Sequence, residues 1–534
     1  KEDKMEVKAV SKSFFVRDAT GLVRELSWFD TFLCAFGILN VGLGLVQAFA
    51  YAPFVFPGGN IPIAFIIAIP GAFFLGLLNA LFTAAMPRSG GDYVWVSRSI
   101  TPLFGFAVNF FFTFSVIAAA AVNIWYFDSI FLAPALYAFG LQGAASWITA
   151  TPVSALILGV PALGLLVWMF SRGLQTVKKV LMVLFAISML GTLLWLGLML
   201  FKTNASFISR FNLSMGADAY QSLINAARTA GFSPKTGTGG VNTFNAIIYA
   251  FQMYSGFQMI GYFAGEIKRV NRSAMQAIMG ALGIGALLFI SGAFLVIKYF
   301  GRDFVSAISY FNNTAPAASQ LPFGNYLSSM VIFMTGNPLL RALISLGFVA
   351  TTLWILLPQM LIVTRNLFAW SFDRLIPEWF AKVNDRTHSP INATIITAVL
   401  ILIMLVITLT TAFWSYLVNL AGIGALATII VSVAAIIFPY RRKDIFEKAP
   451  KLVQSKILGL PILTWSGIFT LITQVVVVVI CFTVPAIGGA VTWVSLLSSL
   501  SVFVLAFPLY GIIYAVNKSR GLDPKLAFQE LPPE

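Results

Sequence analysis

Residues 40–45 read NVGLGL, and they lie inside an apolar stretch that runs from residue 28 to residue 57. That stretch is long enough to cross a bilayer as a helix. Glycine is about 1 kcal/mol less favourable than alanine inside a helix, so two glycines beside an asparagine weaken the helix at this place. We therefore predict a break in the helix. Bare peptide groups cannot face lipid, so the break becomes a candidate binding site.

The composition of the whole chain is that of a membrane protein. Of its 534 residues, 59% are hydrophobic and only 10% are charged. Apolar runs of helical, bilayer-spanning length recur along the chain, and backbone in lipid must satisfy its own hydrogen bonds. We predict an all-α polytopic membrane protein with twelve transmembrane helices, near residues 28–56, 61–86, 103–131, 153–171, 174–201, 243–265, 273–299, 339–371, 391–410, 412–439, 461–482 and 489–516.

The net charge of +15 reports orientation in the membrane. An even number of helices places both termini on one side, and we assign that side to the cytoplasm. Only seven of the 34 lysines and arginines then fall outside, namely Lys202, Arg210, Arg228, Lys235, Lys298, Arg302 and Arg341. This bias follows the positive-inside rule and predicts a multi-pass protein of the cell membrane with cytoplasmic termini. No basic folded face remains for a nucleic-acid partner.

The sequence does not predict an enzyme or a metalloprotein. The single histidine, His388, has no neighbours at metal-ligand spacing, and Cys34 and Cys481 both fall within predicted helices. Neither a phosphate-binding loop nor a nucleophile elbow is present. We expect no cofactor, and the only bound species we expect besides lipid and substrate is a coupling ion.

The predicted organisation is symmetrical. We expect a cytoplasmic tail (1–26) without a cleavable signal, helices 1–5 as a first repeat (27–201), an extracellular loop (202–242), and helices 6–10 as a second repeat (243–440). A basic cytoplasmic loop (441–460), helices 11 and 12 (461–516) and a cytoplasmic tail (517–534) follow.

A second interruption, YSG at residues 254–256, lies in predicted helix 6. Helix 6 crosses the membrane in the opposite sense to helix 1. Interrupted helices at corresponding places in oppositely oriented halves indicate a transporter binding site. Either break alone is equally well explained by close helix packing, and it is the inverted pair that favours function.

Three stretches carry a family resemblance: AAMPRSGGDYVWVSRSITPLFGF (84–106), SGFQMIGYFAGEIKRVNRSAMQAI (255–278) and TRNLFAWSFDRLIPEWFAKVNDRTHSPINA (364–393). In this order and spacing they resemble the amino acid–polyamine–organocation superfamily of permeases, over about residues 27–440. The resemblance implies a five-plus-five inverted repeat, with helices 1 and 6 unwound at mid-membrane, two further helices, and alternating access.

The chemistry of the two breaks suits a zwitterion. The half-helix that begins near Gly44 offers a partly positive end to a carboxylate. The carbonyls of Leu39 and of the second break near Tyr254 and Ser255 suit an ammonium group. The resemblance places these residues at the substrate backbone site: Val41, Gly42, Leu43, Gly44, Ser255, Gly256 and Phe257.

The side-chain preference is read from neighbouring residues. Family members often have an acidic residue after Gly-Phe of helix 6, where this chain has Gln258, so a dedicated cationic site is disfavoured. The rings of Phe251, Tyr254 and Phe257 either cap the substrate or only pack. Asn40 and Asn123 either contact the ligand or bond neighbouring helices.

The coupling ion is predicted from the resemblance alone. Related folds hold sodium between the first break, here Leu39, and hydroxyls of helix 8, here Thr351 and Thr352. Proton-driven members often have a lysine in helix 5, where this chain has Ser188, and this favours sodium. Paired threonines also commonly bond the preceding turn of their own helix. Exchange without an ion is a further alternative.

Charged residues are expected at the ends of helices. Asp30 and Asp128 are placed where water is accessible, and Asp373 is expected to pair with a neighbour. Glu266 is expected to pair with one of the adjacent cations Lys268, Arg269 and Arg272. Arg88, Asp92, Arg98, Arg365 and Arg374 are expected at the inner interface as loop pairs and topology anchors.

We therefore predict a secondary active transporter for amino acids, with neutral substrates and ion-coupled symport favoured. Within the fold, the alternatives are a polyamine or amine permease and a substrate exchanger. Outside it, the alternative is a channel or a non-transporting scaffold. The sequence makes no prediction of oligomeric state.

Overall fold

A computed structural model describes residues 22–520, except for 152, 234–238, 315–318, 320, 322–323, 385, 412–419 and 485–492. Helix 1 consists of helix 1a (Trp28–Leu39) and helix 1b (Val41–Val55), and helix 6 contains helix 6a (Ile247–Met253) and the 3-10 helix 6b (Phe257–Glu266). The other long helices are helix 2 (Ile61–Ala85), helix 3 (Pro102–Trp125, continued by Tyr126–Leu132 and Ala133–Ala138), helix 4 (Ser154–Ser171), helix 5 (Leu174–Phe201), helix 7 (Val270–Phe300), helix 8 (Pro338–Phe372), helix 9 (Ile391–Thr410), helix 10 (Leu420–Arg441), helix 11 (Ile462–Thr483) and helix 12 (Trp493–Val504 and Ala506–Ser519).

Eleven helices in the described part of the chain are long and apolar enough to cross a membrane. Predicted helix 6 is the twelfth, and it is divided into pieces that are each too short to span alone. The all-α polytopic architecture is thus confirmed. The first residues of predicted helices 10 and 12 lie outside the described residues, and helix 3 extends to Ala138, beyond its predicted end at residue 131.

Polar caps followed by proline set the beginnings of several helices. Asn60, Thr101 and Asn337 each accept a hydrogen bond from a backbone N–H in the first turn of helices 2, 3 and 8. A proline stands at the first or second position of each of these helices, where the missing N–H costs nothing. Helix 1a begins with a capping box formed by Ser27 and Asp30.

The helices pack into a bundle around the two broken ones. Helix 2 packs along helix 7, helix 5 along helix 8, and helix 10 along helix 11, while helix 1a lies against helices 7 and 8. Gly191 of helix 5 meets Gly347 of helix 8 backbone to backbone, so close that a side chain on either would clash. Small residues at helix contacts are typical of membrane bundles, because they let the backbones approach.

Shorter elements cover the two ends of the bundle. The helices Asn204–Met215, Ala219–Thr229 and Arg302–Thr314 lie on the side to which helices 5 and 7 lead. At the opposite end are the helix Asp92–Ser99 and a hairpin of β1 (Lys456–Ile457) and β2 (Leu460–Pro461). We call this opposite end the inner end, because the positive-inside rule predicts that it faces the cytoplasm.

Candidate functional site

The break in helix 1 falls on Asn40, which adopts a left-handed conformation (φ 47°, ψ 77°). Its backbone N–H donates to the carbonyl of Phe36 and so closes helix 1a. Its side-chain Oδ1 accepts from the N–H of Leu43 at 3.3 Å and so caps helix 1b. Asparagine tolerates this conformation better than other non-glycine residues, which explains why a single residue suffices for the break.

The break in helix 6 spans Tyr254 to Gly256, as the sequence predicts. Gly256 has φ 98°, a conformation that side-chain-bearing residues rarely adopt. Its N–H donates to Oε1 of Gln258 at 2.8 Å, and the Ser255 hydroxyl donates to the carbonyl of Phe251 at 3.0 Å. The chain then continues as the 3-10 helix 6b.

The two breaks lie against each other. A Cβ atom on Gly256 would collide with Cγ2 of Ile38, in the last turn of helix 1a. On the other half, a Cβ on Gly44 would come within 2.7 Å of the Phe289 ring of helix 7 and 3.3 Å of Sδ of Met253 in helix 6a. Glycine at both positions is what allows the interrupted helices to touch.

A cavity of about 840 Å³ opens at this junction. Its volume is typical of small-molecule sites, which enclose roughly 300–1,000 Å³. Among the residues predicted to bind substrate, eight line it: Asn40, Leu43, Gly44, Asn123, Phe251, Ser255, Gly256 and Gln258. Leu39, whose backbone carbonyl is predicted to bind the coupling ion, also lines the cavity. The structure thus brings most of the predicted set together around one space.

Four predicted substrate residues lie outside the cavity lining. Tyr254 is buried with its hydroxyl donating to the carbonyl of Phe65 at 3.3 Å, and the Phe257 ring is fully buried against Gly76. Val41 is buried, and Gly42 faces helices 5 and 8, not the cavity. Of the three predicted capping rings, only that of Phe251 is placed to touch a ligand.

The polar lining of the cavity consists of amides and hydroxyls. Asn123 of helix 3 donates to Oε1 of Gln359 of helix 8 at 3.2 Å across the cavity wall. Gln47, Tyr51 and Tyr126 form a hydrogen-bonded group on the side of helix 1b. Among the described residues that line the cavity, none is Asp, Glu, Lys, Arg or His. A ligand here meets dipoles and no fixed charge.

Sequence reasoning missed several of these lining residues. Gln359 and Gln474 are isolated amides in the apolar helices 8 and 11, and isolated polar residues at mid-helix are themselves a signal of a site. Gln47 and Tyr51 are four residues apart and therefore share one face of helix 1b. This spacing in the sequence alone predicts that Gln47 and Tyr51 line the same side of helix 1b.

The region predicted to hold the ion is built of hydroxyls and one amide. The hydroxyls of Thr351 and Ser188 are hydrogen-bonded to each other. Thr352 donates to the carbonyl of Val349, within its own helix, at 2.9 Å. Nδ2 of Asn40 donates to the carbonyl of Thr351 at 2.8 Å, so an amide already approaches the carbonyl that a cation would use. The sodium site stays a prediction.

Buried ion pairs close the inner end of the bundle. Arg365 of helix 8 makes two bonds to Glu266 at the end of helix 6b, Nη2 to Oε1 at 2.6 Å and Nε to Oε2 at 2.8 Å. Both side chains are 2% exposed. The carbonyl of Glu266 also accepts from the N–H groups of Glu25 and Leu26, which ties the segment before helix 1a to helix 6b. The expected pairing of Glu266 with Lys268, Arg269 or Arg272 is wrong, because helix 8 supplies the partner.

A second buried group surrounds Asp373, at the end of helix 8. Oδ1 accepts from Arg88 and Oδ2 from Arg98, both at 3.0 Å, and the Tyr93 hydroxyl donates to Oδ2 at 2.8 Å. Burial alone would raise the pKa of Asp373, but the charges of Arg88 and Arg98 outweigh it, and the pKa lies below its usual value. The loop after helix 2, for which loop pairing and a topology role were expected, is thus bonded to the end of helix 8.

Two acidic residues are less accessible than expected. Asp128 is 1% exposed and accepts from the Ser154 hydroxyl at 2.7 Å, so the expectation that water reaches it is wrong. Asp92 is also buried, and its Oδ1 accepts from Nδ2 of Asn109 at 2.6 Å. Burial raises the pKa of Asp92 to about 7.

The geometry first defines a class of protein. Two oppositely directed helices are each interrupted beside one small-molecule cavity, and buried ion pairs close one end of the bundle. This is the architecture of a secondary transporter. The comparison with known families then places it: the sequence model of the family described as "Amino acid permease" matches residues 26–509. The chain belongs to that family, and it is a permease, not an enzyme.

Individual relatives agree on transport and differ in substrate. The branched-chain amino acid permease BcaP of Bacillus subtilis is 23% identical over 70% of this chain and 72% of its own. The chloroplastic cationic amino acid transporter 7 of Arabidopsis thaliana is 22% identical over 78% of this chain and 65% of its own. A methylthioribose transporter of Bacillus subtilis is 23% identical, over 79% and 83% respectively.

Proposed function

We propose that this permease carries neutral amino acids by alternating access, with the zwitterionic part of the substrate held by the two helix breaks. The supporting observation is the cavity itself: it borders both interrupted helices, and its described lining carries no charged side chain. A ligand with a charged side chain would lose its hydration here and gain no counter-charge, which is unfavourable.

The two ends of the ligand have separate partners. The beginning of helix 1b carries the positive end of its dipole, so the carboxylate binds beside Leu43 and Gly44, whose own N–H groups donate to Asn40. The last carbonyls of helix 1a and helix 6a carry the negative end, so the ammonium binds beside Leu39 and Ser255. The dipoles of the interrupted helices thus recognise the part that all amino acids share.

Specificity arises from the other lining residues. Gln258, the Asn123–Gln359 pair and the ring of Phe251 face the space left for the side chain. They offer hydrogen bonds and apolar surface to an uncharged side chain. The branched-chain relative agrees with this proposal, whereas a polyamine, which carries no carboxylate, leaves the positive end of helix 1b unused.

Uptake into proteoliposomes tests the proposal. We expect saturable uptake of a neutral amino acid, faster when the same substrate is present on the opposite side, and no competition by putrescine. Non-saturating, voltage-driven flux would show a channel, and absence of any flux a scaffold. The matched variant Gln258→Glu should gain competition by lysine, because it adds the missing counter-charge; an unchanged competition profile would contradict the position assigned to Gln258.

We further propose that transport is coupled to an ion, with sodium bound by Leu39 and Thr351 and with Thr352 beside them. Uptake under separate sodium and proton gradients tests this. Thr351→Val should abolish a sodium dependence. The control is Ser466→Ala, which removes a buried hydroxyl that bonds the backbone of its own helix 11, and it should leave the sodium dependence intact. Uptake that needs neither gradient would favour exchange.

A further inference from the structure

The segment that joins helices 10 and 11 is ordered and held against the bundle; we call residues 441–461 the hairpin loop. It contains the short helices Lys443–Phe446 and Lys451–Gln454 and the antiparallel pair β1 and β2. Val453 is fully buried and Ile445 is 9% exposed, so these two side chains anchor the loop to the protein. The loop is therefore a fixed surface feature of the inner end.

The outer surface of this loop carries apolar side chains that the described part of the chain leaves uncovered. Leu458 is 88% exposed, Ile457 53% and Leu452 47%. Leu458 also has φ 52°, at the tip of the hairpin and directly before Gly459. Asparagine or glycine is favoured at such a position, and a leucine there is strained. Packing within the described part of the chain does not offset the strain, since Leu458 is 88% exposed, and this points to an apolar environment outside the protein.

The hairpin lies at the depth of the membrane interface. Nε1 of Trp465, in the first turn of helix 11, donates to the carbonyl of Ile457 at 2.8 Å. The Trp465 ring stacks on Phe469, which is 40% exposed on the outside of the helix and stacks on Phe74 of helix 2. Tryptophan near the end of a membrane helix marks the level of the lipid headgroups. Ile457 and Leu458 therefore stand beside lipid.

The charge of the hairpin loop is strongly positive. It carries six cationic residues and two acidic ones, Asp444 and Glu447. One cation, Arg442, is paired with Asp444 at 2.8 Å. The other five cations are exposed: Arg441, Lys443, Lys448, Lys451 and Lys456. Lysines and arginines beside a membrane helix attract anionic headgroups, and their attraction falls off within a Debye length.

We propose that the hairpin loop is a docking surface for anionic phospholipids, in which the exposed cations bind the headgroups while Ile457 and Leu458 insert among the upper acyl carbons. The combination of an apolar tip with flanking cations is the chemistry of interfacial membrane binding. The charge of the loop selects the anionic headgroup, and the anchored hairpin fixes where that lipid sits. This proposal does not depend on the identity of the transported substrate.

Depth of insertion gives the first test. A fluorophore is attached at Leu458→Cys in the full-length protein, in nanodiscs of phosphatidylcholine with phosphatidylglycerol and a spin-labelled lipid. Lys382→Cys, an exposed position of the same end but outside the loop, is the matched control. We expect quenching of the label at 458 and little at 382. Equal quenching at both positions would overturn the insertion of the hairpin tip.

Retention of lipid gives the second test. Native mass spectrometry counts the phosphatidylglycerol that stays bound when the protein is released from a mixed bilayer. An interfacial lysine contributes about fivefold to anionic-lipid affinity. We therefore expect most of the bound phosphatidylglycerol to be lost in a triple variant that combines Lys448→Gln, Lys451→Gln and Lys456→Gln. The equally charged control changes Lys179, Lys268 and Lys382, all exposed at the same end, to glutamine. Equal losses in both triples, or no preference of the wild type over phosphatidylcholine, would overturn the proposal.

Discussion

Gly256→Ala tests whether the contact between the two breaks is needed for binding. The substitution places a methyl group where Gly256 has φ 98° and where Ile38 of helix 1a already occupies the space. The unfavourable dihedral costs about 1–2 kcal/mol. Overpacking of a filled site adds about 1–3 kcal/mol. The total of about 2–5 kcal/mol falls on the conformation in which helix 1a touches helix 6.

That cost appears in substrate affinity if the protein folds. Since 1.4 kcal/mol is about tenfold in a dissociation constant, we expect the affinity of Gly256→Ala to fall at least about thirtyfold. Equilibrium binding of radiolabelled substrate to purified protein measures it, with size-exclusion behaviour and melting temperature as evidence of folding. Adding Ile38→Ala removes the clash but not the dihedral strain, so the double variant should recover part of the loss.

A matched glycine separates this effect from a general one. Gly424 of helix 10 also lines the cavity, but a Cβ there would meet only the Phe111 ring at 3.7 Å, which is an ordinary contact. Gly424→Ala should therefore bind substrate as the wild type does. Wild-type affinity in folded Gly256→Ala, or equal losses in both variants, would refute the reasoning.

Three further changes test other parts of the site. Glu266→Gln leaves Arg365 buried without its counter-charge, so we expect a lower melting temperature in a thermal-shift assay. We also expect cysteines to be labelled more readily from the inner side. An unchanged melting temperature would contradict a stability role for the pair. Burial raises the pKa of Asp92 to about 7, so its contribution to stability is present at acid pH and is lost as the pH rises through about 7. Asp92→Asn should therefore make the melting temperature less dependent on pH between pH 5 and 8. An identical pH profile in the variant and the wild type would contradict this role of Asp92. Asn40→Ala removes both the cap of helix 1b and the bond to Thr351, so we expect it to weaken substrate binding. The control is Asn79→Ala, because Asn79 is a buried asparagine whose side chain bonds its own helix. Equal losses of substrate binding in the two variants would contradict a special role for Asn40.

The positions of the breaks could be predicted from the sequence because they depend on local backbone preferences. Glycine and asparagine weaken a helix wherever they stand; the first break falls at Asn40, beside Gly42 and Gly44, and the second ends on Gly256. The detail differs in helix 1: the residue with positive φ is Asn40, while Gly42 and Gly44 lie inside helix 1b and serve close packing. Propensity locates an interruption, but the capping bond decides which residue forms it.

The inner ion pairs could not be predicted, because they join residues far apart in the chain. Arg88 and Asp373 are 285 residues apart, and Glu266 and Arg365 are 99 residues apart. One sequence shows that these residues are charged and near helix ends, but the partner depends on how helices 6 and 8 pack. For Gln474 the limit is partial: an isolated amide in an apolar helix indicates a site, but nothing local shows that helix 11 reaches this cavity.

The claim that two helix breaks share one zwitterion is tested most directly by competition binding with three forms of the transported amino acid. One is intact, one has its carboxylate blocked as a methyl ester, and one lacks the ammonium group. We predict that only the intact amino acid competes, because each blocked form leaves one half-helix end without its partner. Competition by the ester or the deaminated acid as strong as by the amino acid would contradict the account.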